Sequence, residues 1–594
     1  MVSVLTWVLV GIVVYTLGAM ALRARGKLPD YVRVSGPITT LHTGRGRAFI
    51  DRLAAPKRFW RAWGNLGVGV GLVVMVGMFV AIFSAGYQAI QQPERATPVQ
   101  DPQNALIIPG FNDFLPPAAT PEIVLGLLVG LVVHEGGHGL LCRVEDIDID
   151  SMGLALFAFI PVGAFVEPDE ESRSRSSRGS QTRMFAAGVT NNFFIAFLGF
   201  LLLFGPVAGS LSVAAGVPVG DAADGSAAAQ AGLGYGDVIT EVDGRPVANE
   251  SEFSTALTDA TGEQVTLGLR NGEQVTVNRS VLVTAVIPSV VEGISLSRDS
   301  ATIIESVNGT AVDTEREFAR AMANNTVATV QTNRGNATFP VGAYVVEVLD
   351  GEPFAEAGAP QGRELIITQI NGSRTANTTA FQDALSETTP GQNVTVVAYV
   401  DGERETYEVT LGNRANDDDG FLGVRSEYGY SGMVVDDVGI DAYPAGDFLG
   451  YLGGDSGPLG GLFSGDFLVR IYVVLLLPFF SVIAPDVAYN FGGFLPAVTG
   501  FYTVDGPLAF LGGSVFTLAN VLFWTAWINL NLGVFNLVPT FPLDGGHILR
   551  ACAESVVARL PVRDGRRVTS AVTASVSLLM IAGLVLMLFG PQII

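Results

Sequence analysis

"LLVGLVVHEGGHGLLCRVED", residues 127–146, places His134, Glu135 and His138 inside a run that is otherwise almost wholly apolar. From Ile123 to Val133 there is no charge, so the run reads as a membrane-spanning helix that begins beside Glu122. An ionisable side chain near mid-membrane costs about 2.5–3.5 kcal/mol on insertion scales, and such groups usually mark function. Residues four apart share one face of a helix, so His134 and His138 can hold a single metal ion. Glu135 sits about 100° further round, near enough to address a water at that metal without being a ligand. This is the HExxH pattern, in which zinc is held by the two imidazoles and the glutamate is the general base. The chain has four histidines in all, His42, His134, His138 and His547. The pattern is therefore no by-product of a histidine-rich composition.

Composition places this chemistry in a membrane. The 594 residues are 49% hydrophobic and the mean hydropathy is positive, which predicts a polytopic α-helical membrane protein with room for soluble domains. Uncharged runs long enough to span lie near 1–22, 64–90, 122–142, 184–208, 507–535 and 568–590. The first has no basic residues before it, and Arg23, Arg25 and Lys27 follow it, as in an uncleaved anchor with its N-terminus outside. Between Arg23 and Arg61 there are ten Lys/Arg against Asp30 and Asp51, so this segment is expected on the cytoplasmic side. The HEGGH span then runs inward, with its histidines in the cytoplasmic half. The stretch "ESRSRSSRGSQTR" (171–183) follows on the same side; it reads as a topology anchor, with a contact to anionic lipid as the alternative.

Net charge is −23, and only Lys27 and Lys57 are lysines among 34 basic residues. Such an acidic, lysine-poor surface suits solubility in high salt, as in a halophile, and argues against a nucleic-acid partner. Cys142 and Cys552 both flank spans on the expected inner side, and neither reads as half of a disulfide.

A catalytic zinc needs a third protein ligand and an open position. In "WINLNLGVFNLVPTFPLDGGHILR" (527–550), Asp544 is the only acid between Asp505 and Glu554. Pro539 and Pro542 break the preceding helix, and unwound backbone at membrane depth is tolerated where it lines an enclosed cavity. Asn536, Pro539, Leu543, Asp544 and Gly545 spell NxxPxxxLDG. With HExxH in one span and this motif in a later one, the chain resembles the site-2 protease family of intramembrane zinc metalloproteases, of an archaeal, halophilic type. The resemblance implies His134, His138 and Asp544 as zinc ligands and Glu135 as the catalytic acid/base. It also draws in Gly188 and Asn192, a GxxxN element in "AAGVTNNFF". Asn192 would bind the substrate backbone, or it makes an interhelical hydrogen bond. Asn536 is open to the same two readings. His547 and Cys142 are chemically able to ligate but are expected beside the site and in the core. The resemblance further implies a membrane-embedded β-hairpin for "GLALFAFIPVGAFVEPDE" (153–170).

Between the fourth and fifth expected spans lies an insert with an internal repeat: "DVITEVDGRPVANESEFSTAL" (237–257), "ATIIESVNGTAVDTEREFARAM" (301–322) and "LIITQINGSRTANTTAFQDAL" (365–385). Each reads as a strand, a DG or NG turn and a helix with an i, i+4 apolar pair: Phe253 with Leu257, Phe318 with Met322, Phe381 with Leu385. Copies one and three follow lead-ins, "GSAAAQAGLGYGD" (225–237) and "GEPFAEAGAPQGRE" (351–364), that resemble those of bacterial-type PDZ domains. Such modules bind extended peptide ends at a sheet edge; a rigid spacer is the alternative. Eight N-x-S/T sequons, at Asn249, Asn278, Asn308, Asn324, Asn336, Asn371, Asn377 and Asn393, all fall in the insert and suit an external location.

The expected organisation is an N-terminal span and basic segment (1–63), then a membrane core with the HExxH span, the hairpin-like segment and the GxxxN span (64–208). A PDZ-like domain (209–285), a degenerate repeat (286–345) and a second PDZ-like domain (346–412) form an extracytoplasmic α+β insert. An acidic, glycine-rich linker follows, with a re-entrant or interfacial segment at 471–484 (413–506). The NxxPxxxLDG span with its basic segment (507–567) and a last span (568–594) complete the chain. The expected function is an intramembrane zinc endopeptidase in regulated proteolysis, with single-span membrane proteins as substrates, peptide ends at the PDZ-like domains and lipid as surroundings. The expected location is the cell membrane, multi-pass, with the active site toward the cytoplasm. A catalytically silent PDZ receptor or scaffold is the alternative. A metal transporter would need more ligands along a path than four histidines allow.

Overall fold

A computed structural model describes residues 4–91, 117–158, 160–297, 300–414, 419–454, 467–483 and 489–593. The chain divides into two units, residues 1–212 with 446–594, and residues 213–445.

In the first unit, among the described residues, five helices are long and apolar enough to cross a membrane: Lys57–Gln91, Pro117–Val144, Arg178–Ser210, Ser514–Asn536 and Gly565–Phe589. The expected first span is helical over Val4–Ala24 but is not among these five, its described apolar part, Val10–Ala24, being shorter. Lipid offers no hydrophobic drive between helices, so close approach relies on small residues. A β-carbon at Gly137 would lie 2.7 Å from the Ala187 carbonyl, one at Gly126 3.0 Å from the Trp524 carbonyl, and one at Gly199 2.9 Å from the Ala526 side chain. These glycines let the helices carrying His134, Asn192 and Asn529 pack backbone to backbone.

The stretch 467–483 is a broken apolar helix, Phe467–Leu476 and Phe480–Ile483, interrupted at Pro478. It is too short to count among the five. The indole of Trp527 donates to the Leu475 carbonyl at 3.1 Å, tying it to the helix Ser514–Asn536.

The hairpin suggested for 153–170 exists. Strands Ile149–Phe157 and Ile160–Pro168 pair antiparallel, and two further strands, Val32–Ser35 and Ile38–His42, extend the sheet to four, leaving Ile160–Pro168 at one edge. Those extra strands come from the basic N-terminal segment, whose charge pattern gave no strand signal. Below the sheet, Ile50, Leu141, Cys142 and Met184 share one core.

The second unit contains three six-stranded sheets built alike. The DG and NG dipeptides form two-residue turns with both residues at positive φ, 50° and 77° at Asp243–Gly244, 50° and 79° at Asn308–Gly309, and 49° and 85° at Asn371–Gly372; this is the hairpin turn whose twist suits flanking strands. Each helix that follows is capped by a side-chain oxygen, from Asn249, Thr314 or Asn377. Phe253, Phe318 and Phe381 are buried in three separate cores. Four of the eight sequon asparagines thus have local structural work, Asn249 and Asn377 as caps, Asn308 and Asn371 in turns.

The middle copy has no lead-in helix among the described residues, in keeping with its expected degeneracy, yet its sheet has the full six strands. One expectation requires correction: the segment following 412 is not simply a linker. Val424–Ser426 pairs with Ala343–Val348 in the third sheet, Met433–Asp436 with Leu282–Val286 in the second, and Ile440–Ala442 with Val217–Ala222 in the first. The chain returns through its own three modules in reverse order and gives each an edge strand. Strands of three or four residues carry too little periodicity to be read from sequence. The expected linker residues 415–418 and 455–466 lie outside the described residues. At the return, Arg279 and Asp437 form a buried ion pair, with side chains 1% and 3% exposed.

At the end of the HEGGH helix, Glu145 accepts from Ser180 (2.7 Å) and from Arg183 (2.9 and 3.0 Å), and pairs with Arg61 (3.3 Å). Burial pushes its carboxyl up, but the Arg183 and Ser180 hydrogen bonds and the Arg183 and Arg61 charges outweigh it and hold the group below its ordinary value. A carboxyl depressed in the folded state stabilises fully above its unfolded value of about 4.3, and that stability is lost as pH falls through the folded value. Glu145→Gln should therefore lower the melting temperature of the detergent-solubilised protein at pH 7, with a deficit that shrinks on acidification below about pH 4. A deficit independent of pH would show that the charge is not what holds this corner.

Candidate metal centre

Three side chains from two distant parts of the chain converge. The His134 and His138 Nε2 atoms lie 3.2 Å apart, and Asp544 Oδ2 is 3.1 Å from the first and 3.4 Å from the second. Their exposures are 6%, 9% and 9%. They form the only such His/Cys/Asp/Glu group able to hold a metal ion among the described residues.

Each of the three side chains is placed by local sequence. The histidines face the same way because they are one helical turn apart in Thr120–Val144. Asp544 opens the helix Asp544–Val557, where the helix dipole favours a carboxylate. The prolines hold residues 537–543 off helical geometry, and this loop folds tightly over the start of the new helix. A β-carbon at Gly545 would sit 2.4 Å from the Val538 carbonyl oxygen, and one at Gly546 2.7 Å from the Thr540 carbonyl. The DGG run is therefore a steric requirement of bringing Asp544 to this depth. Across the site, a β-carbon at Gly188 would lie 2.7 Å from His138 Nε2 and 2.9 Å from His134 Cε1, so a side chain there would enter the site.

The donor set fits zinc. With bonds of about 2.0–2.2 Å to nitrogen and oxygen, a tetrahedral site separates its ligands by about 3.3–3.6 Å, close to the three distances found. His138 Nδ1 lies 2.8 Å from the Met184 carbonyl. It must donate there, so the neutral ring turns the Nε2 lone pair toward Asp544. Asp544 Oδ2 itself has no hydrogen-bond partner. With a metal bound, both rings would be neutral and face Oδ2 through their Nε2 lone pairs, so the distances to the histidines would carry no hydrogen bond. Lone pairs crowded at one buried point are repulsive unless a cation lies between them.

Asn192 is fully buried, with its amide Nδ2 3.3 Å from His134 Nδ1 and its Oδ1 unpartnered. Turning the amide by 180° presents Oδ1 to His134 Nδ1–H. That satisfies both atoms and leaves His134 Nε2 free for metal, the usual support for a ligating histidine. Glu135 is half-buried beside the ligands, and its Oε2 accepts from the Val166 N–H at 3.1 Å. The edge strand of the four-stranded sheet is thereby joined to the HEGGH helix. Asn536 turns back on its own helix, donating to the Leu532 carbonyl at 3.0 Å, and is not among the converging groups. His547 stacks on Phe185, with ring centres 4.2 Å apart, and Cys142 lies in the core. Sequence reasoning missed the Met184 carbonyl and the Val166 N–H. Both are backbone groups, and no side-chain motif reports them.

Asn192→Leu should lower zinc affinity by about 10–100-fold, measured by competition with a chromophoric chelator. Gly188→Ala should do the same by crowding His138. Wild-type affinity in both would remove the positioning role given to this helix.

Known proteins were compared with this chain. The zinc metalloprotease RasP of Oceanobacillus iheyensis is 26% identical over 228 residues, 38% of this chain and 46% of that protein. An uncharacterised protein of Methanocaldococcus jannaschii, MJ0971, is 24% identical over 216 residues, 36% of this chain and 54% of that protein. The chain thus spans about half the length of each of these relatives. The family model of Peptidase family M50 matches residues 122–581, which takes in the HEGGH helix, the insert and Asp544. With both signature motifs inside that match, the chain belongs to Peptidase family M50.

Proposed function

We propose that this protein is an intramembrane zinc endopeptidase that cleaves the transmembrane segments of membrane-anchored, single-span substrates in regulated proteolysis. The observation that carries the reading is the convergence of His134, His138 and Asp544 between membrane-length helices with Glu135 beside them. His134 and His138 Nε2 and Asp544 Oδ2 would hold the zinc. Zinc bound there supplies a Lewis acid that polarises a carbonyl and acidifies water.

The remaining roles fall to the chain itself. Glu135 takes the proton from the attacking water and returns it to the leaving amine. The Val166 N–H holds that carboxylate at the edge of the sheet, and Asn192 sets the His134 tautomer. Substrate backbone must leave its helix to be cut, and its freed N–H and C=O groups then need partners in lipid. The edge strand Ile160–Pro168 offers backbone of that kind beside Glu135. Asn192 and Asn536 remain proposed contacts for the same backbone. The basic segments 23–61 and 171–183 support a cytoplasmic orientation for the active site, with residues 213–445 outside. We read that insert as three PDZ-like modules that screen or hold substrate ends.

Glu135→Gln should retain zinc and lose cleavage of a model transmembrane substrate by about a hundred- to ten-thousand-fold. Near wild-type cleavage would overturn the general-base role. Asp544→Asn should lose zinc and activity together, since a neutral amide is a poorer ligand than a carboxylate for a divalent ion. Metal analysis and turnover on the same sample decide this, and an unchanged result for both would exclude Asp544 as the third ligand.

A further inference from the structure

The two strands that the N-terminal segment adds to the hairpin also complete a cavity of about 600 Å³, lined by parts of all four strands and by the end of the apolar helix Val4–Ala24. Alternation along Ile160–Pro168 decides which face it occupies. The Val166 side chain lies against the HEGGH helix, 3.4 Å from where a β-carbon at Gly139 would stand. Phe165 and Glu167, on either side of it, point to the opposite face, where they line the cavity. His42 stands beside Phe165, with ring centres 5.2 Å apart at 73°, and Arg33 pairs opposite Thr40 on the same face. The strands Val32–Ser35 and Ile38–His42 precede residue 122, where the family match begins, so much of this cavity is built from sequence outside that match.

Two guanidiniums and two carboxylates line it. Arg23, in the last turn of the helix, donates to the Val34 carbonyl, and Glu167 accepts from Ser151 at 2.8 Å. Arg33 and Asp30 stand three residues apart yet form no ion pair, and neither side chain has a hydrogen bond among the described residues. Burial and the Arg33 charge push the His42 imidazole below its ordinary value, against the pull of Glu167. The ring is therefore neutral at pH 7, and the cationic charge is that of the guanidiniums. A guanidinium matches a phosphate in geometry and charge. The carboxylates accept from hydroxyl or ammonium groups and repel a second phosphate charge. On the helix that ends here, Val13, Val14 and Leu17 are each more than half exposed, a surface suited to lipid chains. A phospholipid lying along that helix brings its headgroup to the level of Arg23, and basic pockets beside membrane helices hold such groups.

We propose that this cavity binds the headgroup of a phospholipid whose phosphodiester carries its own hydrogen-bond donors, a glycerol or an ethanolamine, with the phosphate at Arg23 and Arg33 and the donors at Asp30 and Glu167. Val166, whose N–H meets Glu135, lies between Phe165 and Glu167, so an occupied cavity steadies the strand edge beside the metal centre. The inference goes beyond the peptidase reading, and binding is measured without turnover, so the two stand or fall separately.

Native mass spectrometry of the full-length protein in non-ionic detergent, titrated with short-chain lipids, tests it. Dihexanoyl phosphatidylglycerol and phosphatidylethanolamine are the probes. Phosphatidylcholine of the same chain length, whose headgroup has no donor, is the control, and glycerol 3-phosphate tests for a soluble ligand. The two donor-bearing lipids should bind about tenfold more tightly than phosphatidylcholine, and Arg33→Gln should weaken their binding by about tenfold, the effect of one hydrogen bond to a charged group. Arg33 is exposed and unpaired, so that variant should fold as the parent does. Arg25→Gln removes the same charge from the same segment outside the cavity and should leave binding unchanged. Hydrogen exchange over 160–168 should slow when phosphatidylglycerol binds the parent and not in Arg33→Gln. Equal affinity for phosphatidylcholine, an equal loss in Arg25→Gln, or no retained lipid would each overturn the assignment. Glycerol 3-phosphate binding as tightly as the lipids would overturn the membrane as the source of the ligand.

Discussion

Three acceptor atoms, two imidazole nitrogens and a carboxylate oxygen, are held within 3.4 Å of one another in a nearly dry interior. Such an arrangement is unfavourable in itself, and much of the membrane unit serves to enforce it. The histidines come from a helix that can approach its neighbours only because Gly126 and Gly137 carry no side chain. Asp544 comes from a second helix whose start is folded under its own preceding loop. The ring orientations are set from behind, by the Met184 carbonyl on one histidine and the Asn192 amide on the other. A cation at the point of convergence turns this repulsion into binding energy, which is the physical reason for reading it as a metal centre.

The same helix is fixed at its far end by a different force. Glu145 closes it with charge-assisted hydrogen bonds to Arg183 and Ser180 and an ion pair to Arg61, which join three of the long helices. Beside the histidines, the edge strand of the four-stranded sheet meets Glu135 through the Val166 N–H. His134, Glu135 and His138 are thus held by one helix that is attached to its neighbours at several heights.

The second unit follows another logic. Its three modules are successive in sequence, but none is complete until residues 424–442 have returned through all three. Contacts of this kind join residues far apart in sequence, as in the Arg279–Asp437 pair, and they make the insert a single cooperative body in place of three beads. The edge strands come from a stretch outside the repeat.

The sequence by itself determined which side chains could meet as a metal centre. Helical spacing puts His134 and His138 on one face with Glu135 beside them, and Asp544 is conspicuous as the lone acid in a long apolar region beside two prolines. The span positions and the threefold strand–turn–helix repeat were equally legible, because each depends on hydropathy or on turn residues within a short window. Tertiary structure alone decided which backbone groups complete the site, that residues 32–42 join the hairpin, and that residues 424–442 finish the three sheets. In those cases the deciding atoms are main-chain N–H and C=O groups that every residue carries. Their use depends on what folding brings opposite them, and no side-chain pattern records that.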